Sequence, residues 1–337
     1  MTSRINRHWR WLVAVGAVFV PAAVMGASTL PFTFSSGTPI RAAEVNANFD
    51  ALQTKLDALS GQGSVAAPVI GTLTLAGISP FSIRGFAETV SVAISVGGGA
   101  GTGKPSFSDI EVIKQLDATS PILNVRLNQG AHIASADISI GEFGVHLSDV
   151  IVTGMSVIGA QSEHPLESLS LAFRSIEWTA LGHTSTYDRA QAIGSGANPG
   201  SLAFAFFGAS ATADASLLPI LDYVHSMNMP CDPFVSTGCK VTHTPLSLLR
   251  RVDGATIDNL GLVALGRHLP TLDLQWRTTG TEIESRVQLS DVVGASVRIS
   301  TRDDGVLLEN VDYAYSQIRW TVGSVTGGWD VVGNRGI

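Results

Sequence analysis

Val145-His146-Leu147-Ser148-Asp149-Val150 returns 142 positions later as Val287-Gln288-Leu289-Ser290-Asp291-Val292. The same displacement carries Glu167-Ser168-Leu169-Ser170-Leu171-Ala172-Phe173-Arg174-Ser175-Ile176-Glu177-Trp178-Thr179 onto Glu309-Asn310-Val311-Asp312-Tyr313-Ala314-Tyr315-Ser316-Gln317-Ile318-Arg319-Trp320-Thr321 without a gap. In each copy the inward parity slips by one, from Leu169/Leu171/Phe173 to Ile176/Trp178 and from Val311/Tyr313/Tyr315 to Ile318/Trp320. A β-bulge at the same place in both copies is the expected cause. Upstream, Gly130-Ala131-His132-Ile133 matches Gly266-Arg267-His268-Leu269, and Asp137-Ile138 matches Asp273-Leu274, both at a displacement of 136. The second copy therefore holds six extra residues ahead of Val287. Repetition at this length means duplicated domains, since solenoid units run to about 20–50 residues.

The 337 residues allow two domains, each long enough to bury its own core. Charged residues make up only 15% of the chain while Gly reaches 35 copies, a mix that suits short strands and turns and predicts a mainly β fold. Leu73-Thr74-Leu75, Thr89 through Val96 and Ala136 through Ile140 alternate apolar with small or polar residues, the period-2 mark of half-buried strands. One clear short helix follows Ser120-Pro121, read as cap and first helical position, and runs through Ile122, Leu123 and Leu127 to Gly130. Net charge is −7, and the chain carries no Lys/Arg cluster outside its extreme N-terminus, which excludes nucleic acid as an expected partner.

Arg4, Arg7 and Arg10 precede an apolar run from Trp11 to Met25 that stops at Gly26 and Ala27, the layout of a secretory signal peptide over residues 1–27. The run is shorter than the ~20 residues a spanning helix needs, and Pro21 interrupts it, so no membrane span is expected once the signal is cleaved. The mature chain is then expected in the periplasm or outside the cell. In residues 28–64, Thr38-Pro39 opens a helix whose stripe, Val45, Phe49, Leu52, Leu56 and Leu59, follows the four-three alternation of a coiled-coil seam. Such a helix is marginal alone, so it either packs on its own domain or self-associates. Ser60-Gly61-Gln62-Gly63-Ser64 links it to the first globular region. Cys231 and Cys239 flank a turn-rich stretch, and in an oxidising compartment they are expected to pair as a disulfide. Zinc is the weaker reading, because His225 and His243 fit no familiar ligand spacing.

Gly97-Gly98-Gly99-Ala100-Gly101-Thr102-Gly103-Lys104-Pro105-Ser106-Phe107-Ser108-Asp109, followed by Lys114, Asp117, Ser120-Pro121 and Leu123, resembles the Gly-rich loop and short-helix signature of the Hcp family, the tube protein of type VI secretion systems. Leu147-Ser148-Asp149-Val150 and Glu167 through Trp178 are similar to that family's two later strand motifs. The match covers Thr72 to Thr179 and, more faintly, Pro245 to Thr321. The resemblance implies two tandem β-barrels, each with a short helix, at residues 65–182 and 183–323, with residues 209–243 as an insertion loop in the second and 324–337 as a tail. It also implies self-association into six-membered rings that stack as a hollow tube, which a two-domain chain would supply as a trimer. The family's tube subunits normally lack a signal peptide and a fused second copy. The alternative is a cell-surface binding module that keeps the fold, never stacks, and grips a ligand with the 209–243 loop.

Gly98-x-x-x-x-Gly103-Lys104 fits most of a phosphate-binding loop, but Pro105 stands where Ser or Thr should hold Mg²⁺. His132 and His268 recur after a glycine at the helix exit, where binding a last-turn carbonyl is the expected role. Asp149 and Asp291 occupy equal positions and are expected to make a turn or strand-end hydrogen bond. No nucleophile elbow, H-E-x-x-H or EF-hand string is present. The expectation is a structural protein with no catalytic residue, cofactor or metal.

Overall fold

Along Phe81–Ser91 and Leu166–Ala180 nearly every second side chain is buried, as the alternation in the sequence requires. The computed structural model describes residues 67–94, 103–159, 164–229 and 240–337, all within one unit, Ala66–Ile337. The signal peptide, the leader residues Val45, Phe49, Leu52, Leu56 and Leu59, most of the Gly-rich loop, and Cys231 with Cys239 lie outside the described residues.

The first repeat contains β1 (Gly71–Leu75), β2 (Phe81–Ser91), β3 (Ser106–Phe107), β4 (Ile110–Gln115), α1 (Ser120–Gln129), β5 (His132–Ile140), β6 (Phe143–Ile158), β7 (Leu166–Ala180), β8 (His183–Asp188) and β9 (Ile193–Ser195). Antiparallel pairing runs β2-β1-β5-β6-β7-β4 and returns from β4 to β2, closing a six-stranded barrel with no free edge among those strands. Leu73, Ile83, Val112, Leu147, Leu169 and Trp178 fill its interior. Thr119 occupies the position before α1 and Pro121 falls within the first turn. The expected cap, Ser120, is already helical; its hydroxyl accepts from Asp117 N at 3.1 Å instead. Gly130 ends the helix at φ 57°, the left-handed conformation a glycine adopts without Cβ strain.

The second repeat contains β10 (Ser201–Ala211), β11 (Leu218–Pro219), β12 (Asp222–Val224), β13 (Met227–Asn228), β14 (Thr242–His243), β15 (Leu246–Arg251), α2 (Gly254–Ala264), β16 (His268–Gly280), β17 (Ser285–Thr301), β18 (Leu307–Val322), β19 (Val325–Asp330) and β20 (Arg335–Gly336). Its circuit is β12-β15-β18-β17-β16-β10-β11, six strands with the consecutive β11 and β12 counted as one. Ile220 N to Ala205 O (3.0 Å) and Leu221 N to Leu249 O (2.8 Å) carry the ladder across from β11 to β12. The stretch 209–243, expected as an insertion, thus holds β11 to β14. Val112 pairs with Phe86 as Leu248 pairs with Tyr223, and Phe107 with Val90 as His243 with Met227, so these strands stand where β2 and β3 stand in the first repeat.

Strand order around the two barrels agrees, but one direction differs. β1 is antiparallel to β5, whereas β10 is parallel to β16. Ser201–Phe206 of β10 pair with Thr271–Trp276 of β16, and the six extra residues lengthen that ladder. Ile140 pairs with Phe143 and Trp276 with Ser285, so the additional length lies between Trp276 and Ser285 and prolongs β16. On that extension Arg277 and Gly280 pair with β10, Gly280 O accepts from Thr212 N at 2.7 Å, and Arg277 meets Asp214 at 3.2 Å, which anchors the chain as it turns back.

The parity slip in β7 and β18 is present, with a different cause from the one expected. No register shift occurs there, because β6 slips at the same rung: Leu147 is buried, then Val150, across from Ile176 and Phe173. Asp149 at φ 53° and Asp291 at φ 51° turn the partner strand in the two copies. The register shifts lie further along, at Val152/Gly154 and Gly294/Ser296, again at equivalent positions.

Candidate functional site

Each helix is tied to its barrel by a buried ion network built from equivalent residues. In the first repeat, fully buried Lys114 donates to Ser120 Oγ (2.9 Å) and Gln115 O (2.9 Å) and lies 3.0 Å from Asp117 and 3.7 Å from buried Glu167. Burial alone would raise the Asp117 pKa, but the Thr119 hydroxyl bond and Lys114 hold its carboxyl below the usual carboxylate value. In the second, fully buried Arg250 bonds Asp253 and lies 3.4 Å from buried Glu309, which accepts from Thr256 Oγ1 and Asn259 Nδ2, each at 2.8 Å. Asp253 also caps α2, accepting from Ala255 N at 2.9 Å. The signature residues Lys114, Asp117, Ser120 and Glu167 are therefore the parts that dock the helix.

His132 Nδ1 lies 2.5 Å from Asp149 Oδ1, and His268 Nδ1 lies 3.1 Å from Asp291 Oδ1. Both histidines thus meet the strand-bend aspartates. The two residue types, weighed separately in the sequence, form one duplicated surface pair. Asp291 also accepts from Ser316 Oγ at 2.6 Å; this bond and His268 hold its carboxyl below the usual value. His225 Nε2 (2.5 Å) and His243 Nδ1 (3.2 Å) both converge on Tyr315 Oη, with the Trp320 ring beside His225. Burial lowers both imidazole pKa values. The described residues on either side of the Gly-rich loop form a strand hairpin, since Ser91 and Val90 pair with Ser106 and Phe107, and Gly103 N donates to Ala93 O at 3.2 Å.

The two repeats meet through a continuous contact that motif reading did not find. Ala87–Ser91 of β2 pairs antiparallel with Ser296–Ser300 of β17, placing Val90 opposite Val297 and Glu88 opposite Ile299. Val297 and Ile299 are fully buried there. Beside this ladder, α2 lies against β8 and β9 of the first repeat, and every one of its residues is buried. His183 Nδ1 approaches Asp258 Oδ1 at 3.1 Å, Ser185 Oγ donates to Ile257 O at 3.0 Å, and Arg267 Nη1 donates to Gly196 O at 2.6 Å and Ala197 O at 2.7 Å. The available signal was composition: Gly254-Ala255-Thr256-Ile257-Asp258-Asn259-Leu260-Gly261-Leu262-Val263-Ala264 has no outward polar stripe, as a helix covered on all sides requires.

Two closed six-stranded barrels in tandem, each with a helix pinned by a buried ion pair and joined edge to edge, define a duplicated β-barrel protein whose built surfaces are contacts between barrels. The family described as "Type VI secretion system effector, Hcp" matches residues 78–180 and again 210–322, and the chain belongs to that family. Among solved structures, "crystal structure of Hcp1 from Salmonella typhimurium" is 19% identical, covering 36% of this chain and 95% of that one at a TM-score of 0.32. A type VI secretion system effector from Yersinia pestis is 18% identical, covering 35% of this chain and 98% of that one at 0.28. A further structure, described as a type six secretion system protein, is 17% identical, covering 38% of this chain and 100% of that one at 0.36. Comparison with curated proteins found no match.

Proposed function

We propose that this is an exported, non-enzymatic structural protein of Hcp type, three chains of which assemble a ring of six barrels that stacks into tubes. The observation that carries this reading is the contact between repeats. One barrel presents β2 and β8 to α2 and β17 of the next, a head-to-tail join of the kind that forms a ring where its repeated rotation completes a full turn. Duplication halves the number of chains such a ring needs. The run from Trp11 to Met25 supports export, and the Val45-Phe49-Leu52-Leu56-Leu59 seam supports self-association of the leader. A disulfide between Cys231 and Cys239 belongs to the same reading, and the intact mass of the non-reduced secreted protein should lack two hydrogens relative to the reduced form.

Negative-stain imaging of the purified protein tests the reading. Rings with six lobes, alone or stacked, are the expected particles. Single two-lobed particles at every concentration would exclude ring assembly and favour the surface binding module.

A further inference from the structure

In a chain whose net charge is −7, one pocket of the first repeat is basic. It measures about 540 Å³ and lies between Lys104 just after the Gly-rich loop, Phe107 of β3, Phe173 and Arg174 of β7, and Tyr187 and Arg189 at the end of β8. No carboxylate lines it. Among the described residues, neither Lys104 nor Arg189 forms an ion pair, whereas Arg174 lies 3.8 Å from Asp188. Asp188 is also engaged in the turn that follows β8, its Oδ1 accepting from Ala190 N at 2.8 Å and Gln191 N at 2.9 Å. Two positive charges therefore stand at the pocket without a counter-charge.

The pocket is built as well as charged. The Arg189 guanidinium lies over the Phe173 ring at 5.0 Å and the Phe107 ring at 5.7 Å, and its Nη1 donates to Phe173 O at 3.0 Å. Those contacts fix the fork and leave its other N–H groups for a ligand. Tyr187 is only 4% exposed, yet its hydroxyl makes no hydrogen bond among the described residues. A buried donor of this kind calls for a partner.

The second repeat shows that the barrel does not need this set. The displacement of 142 carries Arg174 to Ser316, Tyr187 to Trp329 and Arg189 to Val331. The backbone at this corner is the same in both copies, since Arg189 N donates to Arg174 O at 3.0 Å and Val331 N to Ser316 O at 2.9 Å. The fold thus forms with neither arginine and without the tyrosine hydroxyl, so the basic set serves something other than folding.

We propose that this pocket binds a phosphate group, Lys104 and Arg189 neutralising its charge and the Tyr187 hydroxyl donating to one of its oxygens. Two uncompensated cations match a phosphate dianion, whereas a carboxylate would need one. Lys104 is also the lysine of the incomplete phosphate-binding loop. Pro105 removes the hydroxyl that would hold Mg²⁺ there, but Arg189 brings a second positive charge from the end of β8, so the site needs no metal. The assignment is independent of how chains assemble.

Isothermal titration calorimetry on the purified full chain, in a low-salt buffer free of phosphate, tests it with inorganic phosphate, phenyl phosphate and benzoate. Inorganic phosphate should bind at one site per chain, because the second repeat lacks the cations. Lys104→Gln, at an exposed position, and Arg189→Val, which carries the second-repeat residue, should each weaken binding about ten-fold or more. Tyr187→Phe should weaken it severalfold, with unchanged circular dichroism in all three. Tighter binding of phenyl phosphate than of inorganic phosphate would identify a phosphate ester as the ligand, and equal binding the free anion; both support the site. Benzoate binding tighter than either would overturn the assignment to phosphate. Absence of saturable phosphate binding, or binding that Lys104→Gln and Tyr187→Phe both leave unchanged, would overturn the site itself.

Discussion

Glu88 places its carboxyl inside the first barrel, where the Trp178 indole N–H donates to both carboxyl oxygens, at 2.9 and 3.1 Å. Burial pushes its pKa from 4.5 up to about 8, against the opposing pull of the Trp178 bond. Between those two values the folded chain holds a proton that the unfolded chain has released, so stability is full below the lower value and is lost as pH rises through the upper one. Glu88→Gln should remove that slope. Urea titrations at pH 5 and pH 9 should show the parent losing up to about 4 kcal/mol relative to the variant. A parallel loss in both would place the titrating group elsewhere. The Lys114–Glu167 pair behaves differently, because each member is fully buried and compensates the other. Lys114→Met should cost about 3–5 kcal/mol in urea unfolding by stranding Glu167, and Lys114→Met with Glu167→Leu should recover most of it.

At the scale of elements, the helices carry equivalent anchors on different outer faces. Gly261 lies so close to Ser185 that Gly261→Ala should destabilise the chain by about 1–3 kcal/mol in thermal or urea unfolding. Ser185→Gly in the same chain should relieve the clash, whereas Val125→Ala on α1 should change stability by less than about 1 kcal/mol. Much of the fold was legible because buried strands advertise themselves: Leu169, Leu171 and Phe173, then Ile176 and Trp178, alternate in the sequence as they do in the barrel. The short strands that follow β10 were not, because β11, β12 and β13 are two or three residues long and β11 ends on Pro219, too short a span for any period to register. α2 was equally hidden, since a helix buried on every side has no polar stripe to reveal its 3.6-residue period. Nor does local sequence encode direction, so the reversal of β10 became visible only through its parallel pairing with β16. The contact between repeats shares that limit. Its partners, Glu88 and Ile299 among them, are far apart in sequence and lie in segments that also read as ordinary barrel strands.

For the whole molecule, the proposed ring gives the duplication a role in setting symmetry. Covalent fusion makes one barrel contact permanent, so the proposed assembly would need only one further kind of join between chains. In the proposed assembly three chains would supply six barrels, and the leader seam Val45-Phe49-Leu52-Leu56-Leu59 is a coiled-coil pattern compatible with self-association. Chain stoichiometry in solution is therefore the most direct test. Multi-angle light scattering should return a particle mass three times that of one chain; a mass corresponding to one chain, or to six chains in a double ring, would contradict the account.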